Sequence, residues 1–148
     1  MTLAAKITYL SSLLLGLLVG VLFGSRMEAE QLPFDEMGSQ MAATQAVDDF
    51  GRAQFHYADP ENAAKALQLC VNVLEQIEKR NPDVTQQQAL VTAYVRLAIL
   101  ADGAANPAQS QAYMVQARQR HKSLLFSRDV TDAQLKASVT FLDRSRDP

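Results

Sequence analysis

The sequence predicts an all-α protein: one N-terminal transmembrane helix, then a small antiparallel helical-hairpin domain of four to five helices. Three observations lead there. The run from Ile7 to Phe23 holds no charge and no proline. Beyond it, apolar residues recur at three- and four-residue spacing, and no stretch alternates like a strand. Polar breaks containing proline or a capping residue punctuate that pattern where helices should stop and start. The expected organisation is an anchor over 1–26, a linker over 27–34 and a helical domain over 35–148.

As a helix, residues 4–24 measure about 31 Å at roughly 1.5 Å per residue, close to the roughly 30 Å hydrocarbon core of a bilayer. Lys6 ahead of a leucine-rich run also fits a signal peptide. The small residues of a cleavage site are missing, however: a cut after Gly24 meets Leu22, and a cut after Ala29 meets Met27. The expectation is an uncleaved single-pass anchor. Lys6 precedes the span, and the acidic run Glu28, Glu30, Asp35, Glu36, Asp48, Asp49 follows it, with Arg26 as the one early base. That asymmetry predicts a cytoplasmic N-terminus and a periplasmic helical domain.

Thr8, Ser12, Gly16, Gly20 and Gly24 succeed one another at four-residue intervals and so stack on one helix face. In lipid such a face matters because it lets another helix backbone or a flat cofactor come close. It predicts packing against other membrane subunits within the bilayer, and it equally suits homo-oligomers.

Leu32-Pro33-Phe34 ends any continuation of the anchor. The first helix of the domain is expected over about 35–57, burying Ala43, Val47, Phe50 and Tyr57, with Gly38 and Gly51 weakening it. Asp59-Pro60-Glu61 opens the second, with a capping aspartate, proline at the first helical position and an acid near the positive end of the dipole. Its stripe is Ala63, Leu67, Cys70, Leu74 and Ile77, and Lys79-Arg80-Asn81-Pro82 closes it. Thr85 and Gln88 have capping-box spacing ahead of a third helix that is apolar nearly all round to about Ala101, with Arg96 its one charge. That composition belongs at the centre of a helical array. Asn106-Pro107 opens the fourth helix, to about Lys122. A fifth starts at Thr131 with a second box to Gln134 and should bury Leu135, Val139 and Leu142.

The two proline starts, Pro60 and Pro107, each open the second helix of a pair, as in a repeat. Leu90, Ala93, Tyr94 and Leu97, followed by Ala98 and Ala101, resemble the large, small and aromatic spacing in the first helix of a tetratricopeptide repeat. Cys70 and Leu74 ahead of Pro82 resemble its second-helix pattern and closing proline. The likeness spans about residues 40 to 122, with a period longer than the roughly 34 residues of that family. It implies a hairpin array that binds other proteins. An anchor followed by helical hairpins is also similar to bacterial envelope adaptor subunits.

Composition narrows the function by exclusion. Lys+Arg 14 against Asp+Glu 16 gives a net charge of −2, which supplies no field for nucleic acid. The single cysteine, Cys70, excludes an internal disulfide and a cysteine-rich metal site. No Gly-rich phosphate loop or His-Glu-x-x-His is present, and His56 and His121 stand apart from other ligand types. Asp48 and Asp49, adjacent on a helix, point in different directions instead of sharing a substrate. No catalytic residue, metal or cofactor is expected. Residues 26–83 carry an acidic excess and residues 84–148 a basic one. Arg118, Arg120, Lys122 and Arg128 cluster as a patch for anionic lipid or an acidic partner. The expected role is a non-catalytic accessory or scaffold subunit that docks on a larger membrane complex. The alternative is an envelope assembly factor or chaperone-like adaptor with transient clients.

Overall fold

The computed structural model describes residues 33–80, 82–124 and 129–145. Its elements are five α-helices: α1 (Pro33–Tyr57), α2 (Pro60–Arg80), α3 (Val84–Gly103), α4 (Pro107–Ser123) and α5 (Asp132–Ser145). All described regular structure is helical. Among the described residues no helix is long and apolar enough to cross a membrane. The expected anchor, with Thr8, Ser12, Gly16, Gly20 and Gly24, lies outside the described residues, as does Arg128.

The helix starts follow from their caps. α1 begins at Pro33, two residues earlier than expected, because proline is pre-organised for the first helical position. Asp59 accepts the Asn62 backbone N–H at 3.1 Å ahead of α2, and Asn106 accepts that of Gln109 at 3.2 Å ahead of α4. At α5 the box closes in both directions. The Gln134 N–H donates to Thr131 Oγ1 at 3.2 Å, and the Thr131 N–H donates to Gln134 Oε1 at 2.8 Å. The box expected at Thr85 and Gln88 does not form. Asp83, extended at φ −135 and ψ 151, is the N-cap instead, without a side-chain bond. Starting the helix at Val84 moves Thr85 past the cap position and buries Gln86.

From Gln40 onward the chain forms one compact unit. Its centre is α3, which packs most extensively on α4, then on α2, then on α5. Connections of two or three residues turn the chain back from α1 to α2, from α2 to α3 and from α3 to α4, the arrangement of antiparallel hairpins. Leu67, Val71 and Leu74 of α2, Leu90, Val95, Leu97 and Ala98 of α3, and Met114 and Ala117 of α4 form the core. The near-continuous apolar surface of α3 therefore matches its position between neighbours.

α1 lies against this centre along a seam of Thr44, Val47 and Gly51, not along the larger apolar side chains. A Cβ at Gly51 would stand 3.2 Å from Leu67 Cδ2 and 3.4 Å from Cys70 Sγ, so glycine admits α2 close to the α1 backbone. Tyr57, expected on the buried stripe, is 72% exposed, because the seam runs through positions 44, 47 and 51 and leaves 57 off its face. On α5, Leu135 and Val139 are buried as expected. Leu142 is exposed, and the next seam position, four residues after Val139, belongs to the buried Asp143.

The joint between α3 and α4 is a Schellman turn. The Asn106 N–H donates to the Ala101 carbonyl at 2.9 Å and the Ala105 N–H to that of Asp102 at 3.0 Å. Such a turn needs one left-handed residue, and here it is Ala105 at φ 54. A side chain is strained there and glycine is not. Ala105→Gly is expected to stabilise the domain by about 1 kcal/mol, measured as a higher urea midpoint by far-UV circular dichroism.

Candidate functional site

Three features of the fold collect the polar and apolar groups a function could use. The first surrounds Arg96, whose place in the middle of an apolar helix puts its guanidinium under both α1 and α5. Only 1% of the residue is exposed. Its Nε and Nη2 donate to Asp143 Oδ2 and Oδ1 at 3.0 and 2.7 Å, a bidentate fork, and its Nη1 donates to Asp48 Oδ1 at 2.7 Å. The Thr92 hydroxyl donates to Asp48 at 3.1 Å, and His56 Nε2 stands 3.7 Å from Asp143 Oδ2. Burial pulls the Arg96 guanidinium down, but the bonds and charges of Asp143 and Asp48 outweigh it and hold the group above its ordinary value. One cation thus ties together a helix before it and a helix after it.

Chemically this node is committed to structure. The Thr92 hydroxyl lies within 2.8 Å of the Ala89 carbonyl as well as bonding Asp48, so it is no free nucleophile. Cys70 points its thiol at the Val47 carbonyl, 3.7 Å away, and burial pushes it up to about 12, which keeps the sulfur protonated. Asp48 and Asp49 serve different arginines, Asp48 pairing with Arg96 and Asp49 with Arg52 at 3.4 Å. Among the described residues no group of three His, Cys, Asp or Glu side chains could hold a metal ion.

The second feature takes up part of the expected basic patch. Arg120 turns onto α2, where Nη2 meets Glu75 Oε1 at 2.9 Å and Nη1 meets Glu78 Oε2 at 2.8 Å. Tyr94 joins it, donating to Glu75 at 2.9 Å with the Arg120 guanidinium 5.7 Å from its ring centre, and Gln87 donates to Glu78. Burial, then the bond to Glu75, pushes the Tyr94 phenol up to about 12. Burial lowers Arg120, but its bond and charge pairing with Glu78 outweigh that and hold it above its ordinary value. Arg118 pairs with Asp132 at 2.5 Å on the surface, and Lys122 is exposed. Arg118 and Arg120 therefore each have a carboxylate partner within the fold.

The third feature is a groove of about 370 Å³ where the first turns of α2 and α4 flank the end of α3. Leu97, Leu100 and Ala101 of α3, Ala104 just past its end, Pro60 and Ala64 of α2 and Tyr113 of α4 line it, with Glu61, Asn106 and Gln109 supplying polar groups. Small alanines at positions 64, 101 and 104 open the space by leaving the helices without side-chain bulk between them. An apolar lining with a few polar groups is what a binding cleft of this size requires. The alanines were visible in the sequence, but their convergence from α2 and the end of α3 was not. No protein-family model, curated protein or solved structure matches this chain.

Proposed function

We propose that this protein is a non-catalytic, membrane-anchored binding subunit whose helical domain holds an apolar segment of a neighbouring membrane protein. The groove at the end of α3 carries the reading: it presents leucine and alanine side chains on a folded surface where a partner's aliphatic side chains can be buried. Glu61 is the one charged residue lining it among the described residues, so a basic residue on the partner would complement its edge. The uncharged run from Ile7 to Phe23 supports a single-pass anchor, and the polarity of its flanks supports a periplasmic domain. Thr8, Ser12, Gly16, Gly20 and Gly24 would give that anchor a close-packing face for a second contact. The hairpin arrangement and its likeness to tetratricopeptide repeats suit a scaffold.

Detergent extraction and co-purification of the full chain test this with one variant at each contact. Ala104→Trp fills the groove from an exposed position and is expected to lose the partner while helicity and melting are retained. Gly20→Leu keeps the anchor apolar and is expected to keep insertion but weaken association by removing the close approach. A partner recovered at wild-type stoichiometry with Ala104→Trp would rule the groove out as its seat. Substoichiometric, diverse clients would favour the assembly-factor role over a resident subunit.

A further inference from the structure

We infer that α5 and the second half of α1 form one latch, opening together from the α2–α3–α4 centre because both are fastened through Arg96. The geometry has two hooks on one ring: Asp143 of α5 takes Nε and Nη2 of Arg96, and Asp48 of α1 takes Nη1. His56 adds a direct contact between the two helices, 3.7 Å from Asp143. With α5 in place Arg96 is almost wholly shielded, and its attraction for Asp48 acts out of water. Lifting α5 removes Asp143 and its cover from the guanidinium. Water then screens the remaining pair, which falls toward the small value of a surface salt bridge. The reverse holds for Asp48, because coupling between two contacts through a shared group is reciprocal. The centre has a fastening of its own in the Arg120 cluster with Glu75, Glu78 and Tyr94, whose members all belong to α2, α3 and α4.

Hydrogen–deuterium exchange of the full chain in detergent reads each helix separately. Asp143→Asn keeps the side-chain shape and removes its charge, and it is expected to speed exchange at least tenfold in both 132–145 and 47–57, with residues 88–100 and 110–120 near wild-type rates. Asp48→Asn is expected to speed exchange in 132–145, to which Asp48 is tied through Arg96. Leu135→Ala loosens α5 through its apolar seam alone, without touching a charge, and should give the same paired response. Exchange that rises in 132–145 while 47–57 stays at the wild-type rate, in Asp143→Asn or Leu135→Ala, would overturn the latch. So would an equal rise across all five helices in Leu135→Ala, since the domain would then open as one body.

Discussion

Arg96→Met is expected to destabilise the domain by about 3–5 kcal/mol, the cost typical of removing one member of a buried ion cluster. The loss is not the attraction itself. Methionine leaves the buried Asp143 carboxylate and the largely buried Asp48 carboxylate without the cation that bonds both. A second change separates the two contributions. Adding Asp143→Leu to Arg96→Met removes one stranded carboxylate and continues the apolar seam of Leu135 and Val139, so a large part of the loss should return. Urea unfolding of the full chain followed by circular dichroism measures both variants. A double variant no more stable than the single one would mean that the stranded carboxylate is not the source of the loss.

Leu97→Asp is expected to abolish the cooperative melt. Leu97 is 2% exposed on the central helix, and aspartate there would need its charge buried with no cation supplied. The nearest guanidinium in sequence, Arg96, already serves Asp48 and Asp143. Arg118→Ala is the matched comparison: its pair with Asp132 is more than a third exposed on both sides, and its loss should change stability by no more than about 1 kcal/mol. Melts of the two variants that coincide would place the core elsewhere than on α3.

The helical frame was legible because its signals are local. Asp59-Pro60, Asn106-Pro107 and the Thr131–Gln134 box each place a cap and a helix start within a few residues, and the structure uses all three. The start at Val84 carries no such signal, because Asp83 caps without a side-chain bond and the Thr85–Gln88 spacing points to a start that is too late. Long-range pairing is another matter. Arg96 was visible as the lone charge of an apolar helix, yet its carboxylates lie 48 and 47 residues away in either direction. Periodicity does not say which acid meets which base. Apolarity points to Leu142 as the buried residue, but the seam of α5 passes through Asp143 and ends in an ion pair. The basic cluster was legible as charges, but the engagement of Arg120 with Glu75 and Glu78 depends on α2 and α4 both packing on α3 within reach of a long side chain. The groove depends on the angles between three helices, and no spacing rule encodes those.

Asn106 holds two posts at once. Its N–H closes the end of α3 on the Ala101 carbonyl, and its side chain caps the start of α4 on Gln109. The joint therefore contains no slack residue, and its length sets the phase of α4. One inserted residue would turn α4 by about 100° about its own axis. Ser110, Met114 and Ala117 would rotate out of the core together, and Arg120 would swing away from Glu75 and Glu78. A deletion would turn them equally far the other way. The α3–α4 hairpin is in this sense a geared pair: substitutions can be absorbed one tooth at a time, but a change in length disengages the whole row.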